Sequence, residues 1–247
     1  SGGAARIWVD LERRAPLTKY TMCPDFYHFL SYCAGRTKTA KLGSIVIVLP
    51  WHDLLRAAEE IPMLDNISGG HVILGIGRGA GKVEFDGFHL DMGESRERFI
   101  EAARDVLGAL ENDYMQYDRA FYKQPKKEIR PAPFKSFRDR TYAAAISSES
   151  SRIMAELGIG ILITPQKPWD AVAEELEAYR AIFRETNGLE APPPISAGWV
   201  FCDEEKDRAA EMAVKYICGY WESVLEHYQF AGEHLKTMKG YEYYGKF

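Results

Sequence analysis

The stretch His71–Phe99, HVILGIGRGAGKVEFDGFHLDMGESRERF, decides how the rest of the chain is read. Val72, Ile73, Leu74 and Ile76 form a short apolar run with no polar face, the pattern of a parallel strand covered on both sides. Gly75, Gly77, Gly79 and Gly81 let the backbone come close to a ligand, and Arg78 stands among them with a fixed charge and a planar fork of donors. That combination suits a phosphate. The spacing Gly75-x-Gly77-x-x-Ala80 also meets the loose dinucleotide fingerprint, but that fingerprint needs a helix to begin at the glycines. No helical pattern is expected over Lys82–Leu90, so a nicotinamide cofactor is set aside. Arg78 is kept as a phosphate ligand, against a plainer reading in which it pairs with Glu84.

Upstream, Ile45–Leu49 is an unbroken apolar run that predicts a central strand over Lys41–Pro50. A helix over Trp51–Asp65 follows, with a kink or break expected at Pro62. Earlier still come a short strand at Arg6–Val9 and a helix that opens at Cys23-Pro24-Asp25 and stops at Gly35. Downstream, Ser95–Glu111 reads as a helix and Asn112–Arg140 as a long polar and aromatic loop. Strands are expected at Thr141–Ile146, Ile159–Thr164 and Ile195–Cys202, with helices after the serines of 147–151, over Pro168–Thr186 and over Asp203–Tyr228. Six strands alternating with helices predict a parallel sheet with right-handed crossovers. An eight-stranded barrel is favoured over an open sheet because the apolar runs are many and similar, although two strands are missing from the count. One domain over residues 1–247 is expected.

Composition narrows the function. The 247 residues are 46% hydrophobic and carry a formal charge of -5, which argues against a nucleic-acid partner. Cys23, Cys33, Cys202 and Cys218 lack CxxC spacing, so neither a zinc site nor a disulfide framework is expected. A reduced, cytoplasmic protein is the default. No apolar stretch reaches the length of a membrane span.

Ligands of parallel α/β folds gather at the carboxyl ends of the strands. Arg78 follows one strand there. Ser147, Ser148, Ser150 and Ser151 follow another and precede a helix whose N-terminus is partly positive, so the two clusters together form a phosphate clamp. Capping that helix needs only one serine. His52, just beyond a strand end, is the candidate acid or base, with a structural histidine as the equal alternative. No metal-ligand spacing is present.

Lys41–Phe99, KLGSIVIVLPWHDLLRAAEEIPMLDNISGGHVILGIGRGAGKVEFDGFHLDMGESRERF, resembles the luciferase-like flavin monooxygenase family. The resemblance resumes around Tyr114–Tyr122 and at AAAISSESSRIMAELGIGILIT (Ala143–Thr164), and more weakly at Gly219–Tyr228. It implies a TIM-like (β/α)8 barrel that binds FMN, reduced by a separate flavin reductase, and uses oxygen to oxygenate an aldehyde, ketone or other small organic substrate. By position, Arg78 matches the family's phosphate-binding arginine, Ala80 a backbone contact after it, and Ser147 and Ser150 the hydroxyl contacts. Ile45-Val46 matches the strand position beside the flavin ring, often through an unusual peptide bond. The family commonly carries a functional histidine in a Glu-His-His sequence after its second strand, where this chain has Trp8-Val9-Asp10-Leu11-Glu12-Arg13-Arg14. The first and last barrel strands are also missing from the pattern, and a second copy of the chain, in a homodimer, is expected to cover the open edges. Two other readings stay open: a non-catalytic flavin-binding protein or partner subunit, and a dehydrogenase using the deazaflavin F420 on the same barrel.

Overall fold

Val72–Gly77 is the strand on which the sheet is built, because it pairs on both of its edges. The computed structural model describes residues 25–145, 147–163, 168–229 and 232–241. The expected strand Arg6–Val9 and the Trp8–Arg14 segment lie outside them. In chain order the elements are α1 (Phe26–Arg36), β1 (Leu42–Gly43), β2 (Ile47–Val48), α2 (Leu54–Ile67), β3 (Val72–Gly77), α3 (Lys82–Gly87), α4 (Ser95–Asn112), β4 (Tyr114–Asp118), β5 (Lys123–Glu128), β6 (Thr141–Ala144), α5 (Ser148–Glu156), β7 (Gly160–Ile163), α6 (Trp169–Asn187), β8 (Ile195–Ser196), α7 (Lys206–Tyr228) and α8 (His234–Thr237).

The chain divides into two compact units. The first, Asp25–Arg78 with Ser95–Ala197, holds the main sheet. Its order is β1-β3-β6-β7-β8, with β2 also on β3, and every pairing is parallel. Successive segments of the chain thus lie side by side without reversal. That is the winding of a β/α barrel; a doubly wound sheet reverses order at a switch point.

The expected continuous strand over Lys41–Pro50 is instead two short strands on one edge of β3. Leu42 and Gly43 pair with Val72 and Ile73, whereas Ile47 and Val48 pair with Ile76 and Gly77, so the segment carries one residue more than its partner between the two pairings. The Ile45–Val46 peptide in this bulge is cis, and Ile45 is 47% exposed despite its place in an apolar run. Buried Ser44 fills the gap: its hydroxyl accepts from Gly75 N–H at 3.0 Å and donates to Gly75 C=O at 3.2 Å. Gly75 and Gly77 are glycines because of the bulge. A Cβ on Gly75 would lie 3.0 Å from the Ile45 Cα, and one on Gly77 2.8 Å from a Val46 methyl.

Helix α2 is capped by Asp53, which accepts from Arg56 N–H at 2.9 Å, and it continues through Pro62 without the expected break. Burial of Ile61, Pro62, Leu64 and Asp65 on one side holds it there. The presumed loop Asn112–Arg140 contains an antiparallel hairpin, β4 with β5, seated on α4 through buried Met115 and through Glu101, which accepts from Phe121 N–H at 3.0 Å. The remainder of that segment is pinned by Arg140, whose guanidinium forks onto fully buried Asp65 at 2.6 and 2.7 Å.

The second unit comprises Gly79–Glu94 and the described residues from Gly198 onward. Contrary to the sequence expectation, a short helix, α3, begins at Lys82, and it packs against α7 through its own unit. The expected strand over Ile195–Cys202 stops at Ser196. Beyond it, Trp199 and Phe201 lay their rings against Tyr220 and Tyr216 of α7, at 5.8 and 6.0 Å between centroids. Aromatic packing on a helix thus replaces ladder hydrogen bonds. Phe85, Leu235 and Tyr241 form the buried centre.

Candidate functional site at the strand carboxyl edge

Register places three of the candidates. Ile76 of β3 pairs with Ile47 of β2 on one side and with Ala143 of β6 on the other. All three strands run the same way, so His52, Arg78 and Ser147 each leave the sheet at its carboxyl edge, on neighbouring strands. They are far apart in sequence.

His52 ends the single 3-10 turn Leu49–Trp51 that follows β2, its N–H bonded to Leu49 C=O at 3.1 Å. The imidazole stands edge-on to Phe26, 6.4 Å between ring centres. Its Nε2 is buried and has no hydrogen-bond partner among the described residues. Burial lowers its pKa to about 4, against an opposing pull from Asp25. The ring is therefore neutral at pH 7.

Arg78, half-buried, follows β3 directly. Ser147 caps α5: its hydroxyl accepts from Ser150 N–H at 3.2 Å and lies 2.9 Å from the Ser150 hydroxyl. The other two serines turn elsewhere, since Ser148 and Ser151 line a groove between α5 and α6, where Ser148 donates to Glu175 at 3.4 Å. Glu149 in the first turn is drawn off by Arg96 at 2.5 Å. What faces the strand edge is one capping pair of hydroxyls at a positive helix end, with its nearest carboxylate neutralised. Such a donor set fits a phosphate.

Ala80 belongs to the second unit. Among the described residues its N–H makes no hydrogen bond. The preceding carbonyl, Gly79 C=O, accepts from the Tyr241 hydroxyl at 2.7 Å. Sequence reasoning missed Tyr241, which lies in a tail with no periodic pattern, and Ser44, a lone hydroxyl inside an apolar run. Gly81 faces no open space, since a Cβ there would meet the Glu84 carboxylate and the Tyr228 ring. Among the described residues no cluster of His, Cys, Asp or Glu could hold a metal ion, and no helix is long and apolar enough to cross a membrane.

The sequence profile described as luciferase-like monooxygenase matches residues 1–245. The chain belongs to this family. The oxygenase component of the flavin-dependent trigonelline monooxygenase of Acinetobacter baylyi is 27% identical over 228 residues, covering 89% of this chain and 62% of that protein. The oxygenating constituent of 3,6-diketocamphane monooxygenase from Pseudomonas putida, a type II Baeyer-Villiger monooxygenase solved with FMN, superposes with a TM-score of 0.67 at 16% identity, over 92% of this chain and 68% of that one. The coenzyme F420-dependent tetrahydromethanopterin reductase of Methanopyrus kandleri gives 0.65 at 19% identity, over 98% and 77%. These likenesses show the fold, a TIM-like barrel of the luciferase-like type. The luciferase-like chain spans 39% to 62% of the length of the first curated relatives it matches.

Proposed function

We propose that this chain is a flavin-dependent monooxygenase, using reduced FMN and oxygen to oxygenate a small organic substrate such as an aldehyde or ketone. The observation that carries the reading is the strand register, which sets His52, Arg78 and Ser147 at one carboxyl edge. In this reading Arg78 binds the FMN phosphate as a fork of donors, with the Ser147 and Ser150 hydroxyls and the N-terminal N–H groups of α5 completing the clamp. Ala80 adds a backbone donor. The half-exposed Ile45 and neighbouring Val46 offer an apolar wall to the flat ring. When bound, the flavin supplies the redox and oxygen chemistry. His52 serves as a neutral acceptor that orients a substrate donor, because so low a pKa makes a weak base. A separate reductase as partner, a homodimer, a cytoplasmic location and a single barrel domain over 1–247 belong to the same proposal.

A second reading, an F420-dependent dehydrogenase, is supported by the likeness to the Methanopyrus reductase over nearly the whole chain. Titration with reduced FMN, oxidised FMN and F420, followed by fluorescence or calorimetry, separates the two. Tightest binding of reduced FMN supports the monooxygenase. Preference for F420 moves the assignment to the dehydrogenase, and binding of none overturns both. Arg78→Ala is expected to weaken reduced-FMN binding by about 1.5–3 kcal/mol, the worth of a hydrogen bond to a charged group. Unchanged affinity in a folded variant removes the clamp.

A further inference from the structure

Tyr241 is fully buried, and its hydroxyl donates to Gly79 C=O at 2.7 Å. Gly79 sits at φ +87°, a conformation other residues rarely adopt, so this carbonyl is held in a turn built for glycine. The carbonyl of Gly79 and the N–H of Ala80 belong to one peptide unit. That unit is planar and trans, so its C=O and N–H point in opposite directions. Fixing the carbonyl on Tyr241 therefore fixes the direction of the Ala80 N–H, which no described residue accepts. Tyr228, from α7 of the same unit, closes on the turn as well: its ring lies 3.3 Å from where a Cβ on Gly81 would stand. Chain connectivity alone keeps Ala80 within about 7 Å of Arg78, measured between Cα atoms.

From this geometry we infer that Tyr241 is a positioning residue for phosphate recognition, aiming the Ala80 N–H by holding the other end of its peptide. The inference rests on the flavin-phosphate reading of Arg78 and adds to it a specific donor and the side chain that orients it. It makes the end of the described chain part of what distinguishes a phosphorylated flavin from a bare one.

The test compares reduced FMN with reduced riboflavin, which has the same ring and no phosphate. Tyr241→Phe keeps the buried ring and removes only the hydroxyl. Its FMN affinity is expected to fall about three- to tenfold, as for one hydrogen bond, with riboflavin affinity unchanged. Equal loss for both ligands, or no loss for either, overturns the inference. A measurement on the unmutated protein guards against a variant that does not fold: the Ala80 backbone amide resonance must move on addition of FMN and stay in place with riboflavin. An unmoved resonance also overturns it. Arg78→Ala, titrated in parallel, separates the two levels of the argument. A phosphate-specific loss there without one in Tyr241→Phe sinks the Tyr241 inference alone, whereas no phosphate-specific loss in either removes the clamp itself.

Discussion

His52 shows how one buried side chain carries both a site argument and a pH dependence. Its pKa falls from 6.5 to about 4 because burial penalises the charged ring. Between those values the unfolded chain takes up a proton that the folded chain refuses, so stability is complete above about pH 6.5 and is lost as pH falls toward 4. The shift corresponds to about 3 kcal/mol at its full extent. His52→Gln, which has no titrating group, should show a shallower fall of melting temperature across this window than the unmutated protein, and the same fall would show that His52 does not titrate there. The position of His52 after a strand was legible in the sequence. Its orphaned Nε2 was not, since that depends on Phe26 from a distant helix. Gly75 and Gly77 teach the converse: their pattern suggested close approach to a ligand, and the close approach is to Ile45 and Val46.

At the scale of the element, α5 illustrates a conflict between two roles for the same atoms. Ser147 caps the helix, and its hydroxyl is also a candidate phosphate donor. Ser147→Ala should cost about 1 kcal/mol of stability as a lost cap and weaken FMN binding as well, which leaves the roles entangled. Ser147→Asp separates them. An aspartate caps as well as serine and favours the helix dipole, yet sets a negative charge against the phosphate, so chemical denaturation should give near-normal stability while FMN binding is lost. Retained binding in that variant would place the phosphate elsewhere. The helix itself was readable from its serine cap and from Gly158 at its end, where φ is +71°. The β4–β5 hairpin was not, because β5 reads Lys-Gln-Pro-Lys-Lys-Glu and is almost wholly exposed, which leaves no apolar alternation to detect. The bulged edge of β3 was misread for the opposite reason: Ile45 adds an apolar letter to a run in which it is half exposed.

For the molecule as a whole, sequential strand order explains why residues as distant as His52, Arg78 and Ser147 can serve one ligand. Each right-handed β/α step sets the next strand beside the last, so carboxyl ends accumulate along one edge whatever separates them in the chain. A ligand held there binds the folded state alone, and its binding energy adds to folding stability. At a free concentration about a hundredfold above Kd the gain is about 2.7 kcal/mol. For a chain of this size each kcal/mol moves the melting temperature by roughly 2–4 °C, so saturating reduced FMN should raise it by about 5–11 °C. Arg78→Ala at the same flavin concentration should lose most of that rise. F420 in place of FMN tests the second reading by the same measurement, because the stabilising cofactor is the one that the strand edge was built to hold. A rise with FMN that persists undiminished in Arg78→Ala would mean that the flavin binds away from this edge, and that the register of β2, β3 and β6 has gathered these side chains for the fold alone.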